Sequence, residues 1–349
     1  MQKLFNISFV ICLLIFVIFI LYSESVFKFY NPWNQSTANQ SISLPNLSPK
    51  DLVAAKLYAS TDRDRAYDVG VFGNSRMVML SKAHLGLPKQ ATFFNFSIGG
   101  TSFRQSVRSV EYLAKHDRAP RTVIIGLDNM ELQYGGPAYW PEPFFEFHRE
   151  IADFWTVLRV SKGDWNSRMT DAFKGVDYFF DYSWPKFKRN FSLEPLLTRI
   201  AYLSRSVGGV ERELPKLKNK FSADGSRPQT LRMTPPDLSN FQTQTPLPGA
   251  WSRHNMLGLM RLNELALRLG IRVIVFETPL APKLAPDFSK APSWAAEKSR
   301  GPLKIGCAGE KVECYPAPVF EQGRDYWPDC CHAPAARLGA YLATLLRKN

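Results

Sequence analysis

RTVIIGLD, residues 121–128, is apolar at nearly every position between Arg121 and Asp128. A strand with one wet face alternates polar and apolar residues, so a run of this kind predicts a strand covered on both faces, as in a parallel sheet between two helix layers. Working upstream, YDVGVFG (67–73) and ATFFNFS (91–97) are two more β-rich runs. Between them SRMVMLSKAHLG (75–86) has helical spacing and closes on a glycine, and SFRQSVRSVEYLAKHD (102–117) predicts a second helix. The order βαβαβ leads to a parallel sheet with right-handed crossovers and a site at the carboxyl ends of the strands.

Downstream the rhythm dissolves between about 131 and 250 into aromatic, proline-rich text, within which 147–162 and 191–206 predict helices. It returns with an amphipathic helix, HNMLGLMRLNELALRLG (254–270), a strand, IRVIVFETPL (271–280), and a final helix, APAARLGAYLATLLRK (333–348). The expectation is an α/β domain spanning 51–349, split by the insertion 131–250 after the third strand. Such insertions usually build substrate sites or interaction surfaces.

The N-terminus is of a different kind. Residues 4–22, LFNISFVICLLIFVIFILY, carry no charge and as a helix would reach roughly 28 Å, about one hydrocarbon core. This predicts a transmembrane anchor over 1–22. Lys3 and the α-amino group precede it, which leaves the N-terminus cytoplasmic and the body outside. A cleaved signal peptide, with Ser23 and Ser25 as its small residues, is the rival reading. Residues 23–50 are polar and rich in Ser, Asn and Pro, and predict a flexible tether. The expected location is the inner membrane, single-pass, with the body on the periplasmic side.

Besides Cys12 in the apolar run, the cysteines are Cys307, Cys314, Cys330 and Cys331. In an oxidising compartment they are disulfide candidates. Adjacent cysteines rarely bond each other, so one or both of Cys330 and Cys331 are expected to pair with Cys307 and Cys314. Zinc is disfavoured because no CxxC pair or second nearby histidine is present, and no metal or cofactor is expected. The formal charge of +13 suits anionic lipid headgroups or an acidic polymer. Nucleic acid is excluded as a partner, because the basic residues are scattered and no nucleic-acid motif is present.

On the expected sheet three strand ends share one edge: Gly73-Asn74-Ser75-Arg76, Asn95-Phe96-Ser97-Ile98-Gly99-Gly100 and Gly126-Leu127-Asp128-Asn129. Ser75 would present an exposed hydroxyl as nucleophile. Its own N–H, with that of Gly99 or Gly100 and a third-strand amide, would face a developing oxyanion. The base comes from WPDCCHAP (327–334), where Asp329 and His332 stand three apart before the last helix. Asp329 would accept from Nδ1 of His332 while Nε2 reaches Ser75.

These motifs, in this order, resemble the SGNH (GDSL-like) hydrolase superfamily over about 65–130 and 250–349. The layout is most similar to its membrane-anchored, exported branch, which includes polysaccharide O-acetyltransferases and the D-alanyl-transfer protein of teichoic acid modification. The resemblance implies a three-layer α/β/α, flavodoxin-like fold, with Ser75 as nucleophile, His332 as base, Asp329 as its orienter and Gly99 or Gly100 in the oxyanion hole. It implies a glycan or acyl-ester substrate and a multispanning membrane partner that exports the acyl group. Two departures stand out. Asn74 occupies the place of the family's Asp, and Asp128-Asn129 inverts its Asn-Asp order, so either Asn129 turns in, or Asn74 donates, or the oxyanion hole is weaker than in the family.

Each element has a plainer reading. GNSR fits a serine capping a helix after a glycine turn. His84, His116, His148 and His254 read as surface or helix-face residues, Asp128 with Glu131 as a strand-end cap, and the aromatic clusters of the insertion as core. The rival function is a catalytically inactive envelope protein that keeps the fold and binds a glycan or an assembly partner.

Overall fold

In chain order the elements are β1 (Ser41–Leu44), α1 (Pro49–Thr61), β2 (Val69–Phe72), β3 (Phe93–Asn95), α2 (Phe103–Lys115), β4 (Thr122–Leu127), α3 (Pro143–Val160), α4 (Trp165–Tyr178), β5 (Asn219–Ser222), α5 (Arg253–Leu269), β6 (Arg272–Glu277), β7 (Val312–Tyr315) and α6 (Ala335–Leu346). They come from a computed structural model of the 349-residue chain. It describes residues 41–44, 49–127, 143–161, 163–178, 219–227, 253–279, 311–315 and 332–348, with single positions elsewhere.

The stretch 121–128 holds β4, the central strand of a five-stranded sheet in the order β3-β2-β4-β6-β7. All four pairings are parallel. Numbered along the chain the order is 2-1-3-4-5, the flavodoxin-like winding, whose switch point lies between β2 and β4. Alternation along each strand divides the core in two. Val123, Ile125, Val273 and Val275 share one apolar cluster with α1, α2 and α5. Val69, Val71, Ile124, Ile274 and Phe276 share another with Leu338, Leu342 and Leu345 of α6. Helices therefore cover both faces, which is why the strands read as continuous apolar runs rather than alternating ones.

The insertion joins the helix layer through charge. Asp153 of α3 is buried among Arg104 and Arg108 of α2 and Arg261 of α5, at 3.4, 2.7 and 2.5 Å. Burial alone would raise its pKa, but the three guanidinium groups outweigh that and hold it at about 2.

Several expectations are corrected. Residues 75–86 form successive turns, not a helix. Their bonds run from the N–H of residue i+3 to the carbonyl of residue i, from Met77 to Asn74, Leu80 to Met77 and Gly86 to Ala83. The carbonyls of Met77 and Leu80 accept from the Asn95 carboxamide, and that of Val78 accepts from Arg227 N–H, so an α-helical ladder is displaced. The stretch 23–50 is not wholly a tether: β1 pairs antiparallel with β5 of the insertion, and Trp33 is buried against Phe94 and Phe221. The helix expected at 147–162 is α3, which starts four residues earlier and ends at Val160; α4 is not among the expected helices, and 191–206 lies outside the described residues. The fifth strand, β7, has no counterpart in the sequence reading. Among the described residues no helix is long and apolar enough to cross a membrane. The expected span, 4–22, lies almost wholly outside them.

Candidate functional site

β2 ends at Phe72, and Gly73 turns the chain with φ +144°. A Cβ there would stand 2.6 Å from Met77 Cγ and 3.1 Å from the Gly126 carbonyl. Only glycine tolerates both the dihedral and the approach. Asn74 then closes the turn: its Oδ1 accepts from Arg76 N–H at 2.9 Å and its carbonyl from Met77 N–H at 3.1 Å. Met77 lies over Gly73 and Gly126, pressing the turn onto the end of β4. Asn74 and Arg76 are buried by this arrangement, whereas Ser75 between them remains partly exposed.

The exit from β3 runs alongside. Ile98 N–H donates to the Gly73 carbonyl at 3.1 Å, and Thr101 Oγ1 donates to the carbonyls of Gly73 and Ile98 at 3.2 and 2.7 Å. Gly99 and Gly100 are exposed. A Cβ on Gly99 would touch the Ser75 Cβ at 3.6 Å, while one on Gly100, at φ +75°, would meet nothing within 4 Å among the described residues. Ser102 caps α2 immediately afterwards, its Oγ accepting from Gln105 N–H. Ser75 therefore stands just past the carboxyl end of β2, beside the two-glycine turn that follows β3 and leads into the N-terminus of α2. Such a place favours developing negative charge.

Across the switch point, Thr278 closes the end of β6 on β4: its N–H and Oγ1 donate to the Leu127 carbonyl at 2.7 and 2.8 Å. Arg76 Nη1 donates to the same Oγ1 at 3.2 Å and ties the serine turn to β6. Asp128 and Asn129, the next residues along β4's exit, lie outside the described residues.

His332 is placed by α6. The Arg272 guanidinium at the start of β6 donates to the carbonyls of Leu345 and Leu346, so the C-terminus of α6 sits at the amino edge of the sheet. Twelve helical residues span about 18 Å, which carries residues 332–334 to the carboxyl edge, where Ser75 lies. Ala333 packs in the same apolar cluster as Met77. Asp329, Cys307, Cys330 and Cys331 lie outside the described residues. Cys314 of β7 is disulfide-bonded.

A different serine–histidine contact is seen directly. His84 Nδ1 accepts from Ser81 N–H at 3.1 Å and lies 3.0 Å from Ser81 Oγ, while Ser81 Oγ accepts from His84 N–H at 3.4 Å. These reciprocal bonds over three residues cap a turn. A cavity of about 1050 Å³ lies near this turn, lined by Tyr67, Lys82, Thr92, Phe93 and Asp224, at the amino ends of β2 and β3 and away from Ser75. Among the described residues no group of three His, Cys, Asp or Glu side chains is arranged to hold a metal.

Two residues to which the sequence reading gave no role organise the site. Asn95 donates to the carbonyls of Met77 and Leu80 at 2.9 and 2.7 Å and accepts from Ser97 N–H at 2.9 Å, joining the serine turn to the glycine turn. Lys56 of α1, 1% exposed, donates to the carbonyls of Asn95, Ser97 and Gly225, each at 2.8 Å. Burial drives its pKa down to about 7 despite Asp224 nearby. The signal for both was present: a carboxamide inside FFNF and a lysine inside LVAAKLYA are polar groups where apolar ones are due. No family model matches the chain, and no curated protein matches its sequence.

Proposed function

We propose that the protein is an extracytoplasmic, membrane-anchored serine esterase or O-acyltransferase of the SGNH type, acting on acyl esters of envelope or exported glycans. The observation that carries this reading is the placement of a partly exposed Ser75 just past the carboxyl end of β2, against Gly99. Ser75 Oγ attacks the acyl carbonyl and its proton passes to His332, oriented by Asp329. The tetrahedral oxyanion is met by N–H groups of Ser75 and of Gly99 or Gly100, with Asn129 or Asn74 as the carboxamide donor. Asn74 accepts from Arg76 N–H through its oxygen and closes the turn beside Ser75. Collapse expels the alcohol, which takes the proton from His332. A sugar hydroxyl or water then attacks the acyl-enzyme, giving its proton to His332, and Ser75 is regenerated.

In this reading residues 4–22 anchor the chain in the inner membrane, the body lies in the periplasm, and a multispanning partner supplies the activated acyl group. The buried Trp33 and the β1–β5 pairing argue for testing the full chain in detergent rather than a fragment starting at 51. The experiment is fluorophosphonate labelling and p-nitrophenyl acetate turnover of wild type, Ser75→Ala and His332→Ala. Each substitution should reduce both signals by about a thousandfold or more. Labelling retained in both variants overturns the assignment. Saccharide binding without any wild-type turnover or labelling, unchanged in Ser75→Ala, selects the inactive scaffold, which the inverted Asp128-Asn129 order favours.

A further inference from the structure

Among the described residues β3 is an edge strand, with β2 on one side only. The N–H groups of Phe96 and Ile98 face β2, bonding the carbonyls of Val71 and Gly73. The alternate residues, Asn95 and Ser97, therefore turn their backbone groups outward, where the sheet offers no partner among the described residues. An outward backbone group in a buried segment must be satisfied by something other than a strand. Here the Asn95 N–H is taken by the Asp224 carbonyl on the loop after β5. The carbonyls of Asn95 and Ser97 are both taken by Lys56. A third bond, to Gly225, anchors the same ammonium to the loop that holds Asp224.

An ammonium has three donors, and all three are used on backbone carbonyls of two separate segments. The Phe221 ring face lies 4.9 Å from Nζ and covers the group. Burying an ammonium costs far more than burying an aliphatic chain of the same length. Leucine or methionine would fill the space in the apolar run of α1 but would leave the outward carbonyls of the β3 exit without a donor. Ser97, whose carbonyl is gripped, lies two residues before Gly99, and its own N–H is fixed by Asn95 Oδ1.

We infer that Lys56 is a positioning residue for the Ser75 site: by clamping the outward carbonyls of Asn95 and Ser97 it sets the path of the β3 exit and holds the Gly99-Gly100 turn against Ser75. It does so through the backbone, without touching substrate. This role rests on the acyl-transfer reading above.

The test compares full-length wild type, Lys56→Met, Lys56→Gln and Ser75→Ala for p-nitrophenyl acetate turnover, with thermal melts to show that each is folded at the assay temperature. Lys56→Met keeps the bulk and removes every donor; Lys56→Gln keeps an amide donor. The expected result is a kcat at least tenfold lower in Lys56→Met, an intermediate value in Lys56→Gln, and a KM within twofold of wild type in both. A folded Lys56→Met with kcat within twofold of wild type, while Ser75→Ala is inactive, overturns the positioning role and leaves Ser75 as nucleophile. Turnover unchanged in Ser75→Ala takes down the acyl-transfer reading and this role with it. Should neither lysine variant accumulate as folded protein, native-state hydrogen exchange on wild type decides. Peptides covering 96–101 should open in the same denaturant-dependent unit as α1, and opening of 96–101 while α1 stays protected overturns the clamp.

Discussion

Gly99 stands so close to Ser75 that a Cβ added to it would lie 3.6 Å from the serine Cβ. That is ordinary van der Waals contact, and Gly99 does not need a left-handed dihedral, so alanine fits the folded chain. The added methyl instead occupies the side of Ser75 that an acyl carbonyl would approach. Gly99→Ala should lower turnover at least tenfold while the melting temperature changes little. Gly100→Ala should do the reverse. At φ +75° it has space but an unfavourable backbone, costing about 1–2 kcal/mol, which a chemical-denaturation series would register. Equal losses of activity in the two variants would count against the assignment of Gly99 to the site.

Asn95 makes the second test. Its carboxamide serves the Met77 and Leu80 carbonyls and the Ser97 N–H inside a fully buried setting. Leucine at this position would keep the bulk and take the Asn95 partner from the Leu80 carbonyl and the Ser97 N–H, each at about 1–3 kcal/mol, while the Met77 carbonyl keeps the Leu80 N–H. Asn95→Leu should therefore lose several kcal/mol in urea unfolding and, where still folded, most of its turnover. A loss below about 1 kcal/mol would show that the two turns hold together without it.

His84 and His332 should part company. The Ser81–His84 bonds close on each other within one turn, which the backbone of Gly339 in α6 abuts. His84→Ala should cost stability of about 1 kcal/mol and leave fluorophosphonate labelling of Ser75 intact, whereas His332→Ala abolishes turnover. Labelling that depends on His84 and not on His332 would move the candidate site to Ser81.

What the sequence made legible follows from what each pattern depends on. Strand interiors such as 122–127 are dictated by burial on both faces, and a residue's hydrophobicity records that directly. The order of βα units then determines the winding, so the expected edge for Ser75, Gly99 and His332 came from topology rather than from contacts. Residues 75–86 failed because helical spacing there records packing against α6 and the sheet, while the backbone carbonyls are claimed by Asn95 and Arg227. β7, a four-residue strand, VECY, is too short for periodicity to announce. Lys56 stands out in an apolar run, but its role was hidden for another reason. Its partners are main-chain carbonyls from 39 to 169 residues away, and no side-chain pattern encodes them.

The charge cluster that holds the insertion carries its own pH signature. The Asp153 pKa, about 2 when folded against 3.8 in the reference state, is depressed. Its stabilising contribution is therefore complete above about pH 4 and is lost as pH falls through 2. The linked amount is on the order of 2 kcal/mol. Asp153→Asn should be less stable by about 3–5 kcal/mol near neutrality, because three arginines lose a buried partner. The gap between wild type and variant in urea unfolding should narrow by roughly 2 kcal/mol from pH 4 to pH 2. A gap that stays constant over this interval would mean that α3 is held by packing and not by its carboxylate.

Lys56 gives the opposite slope in a different window. Three carbonyl acceptors and the Phe221 ring favour its ammonium, but burial outweighs them and takes the pKa from 10.5 to about 7. Between these values the unfolded chain binds a proton that the folded chain does not, so wild-type stability must rise with pH across this range. Below pH 7 both states are protonated and the contribution is flat. Lys56→Met lacks the titration altogether. Its stability deficit relative to wild type should therefore be constant below pH 7 and grow above it by about 1.4 kcal/mol per pH unit. Urea unfolding of the two proteins at pH 6, 7, 8 and 9 measures the difference directly. A deficit that stays level from pH 7 to 9 would show that the clamp keeps its proton throughout, and that the three carbonyls, not the loss of water, set its charge.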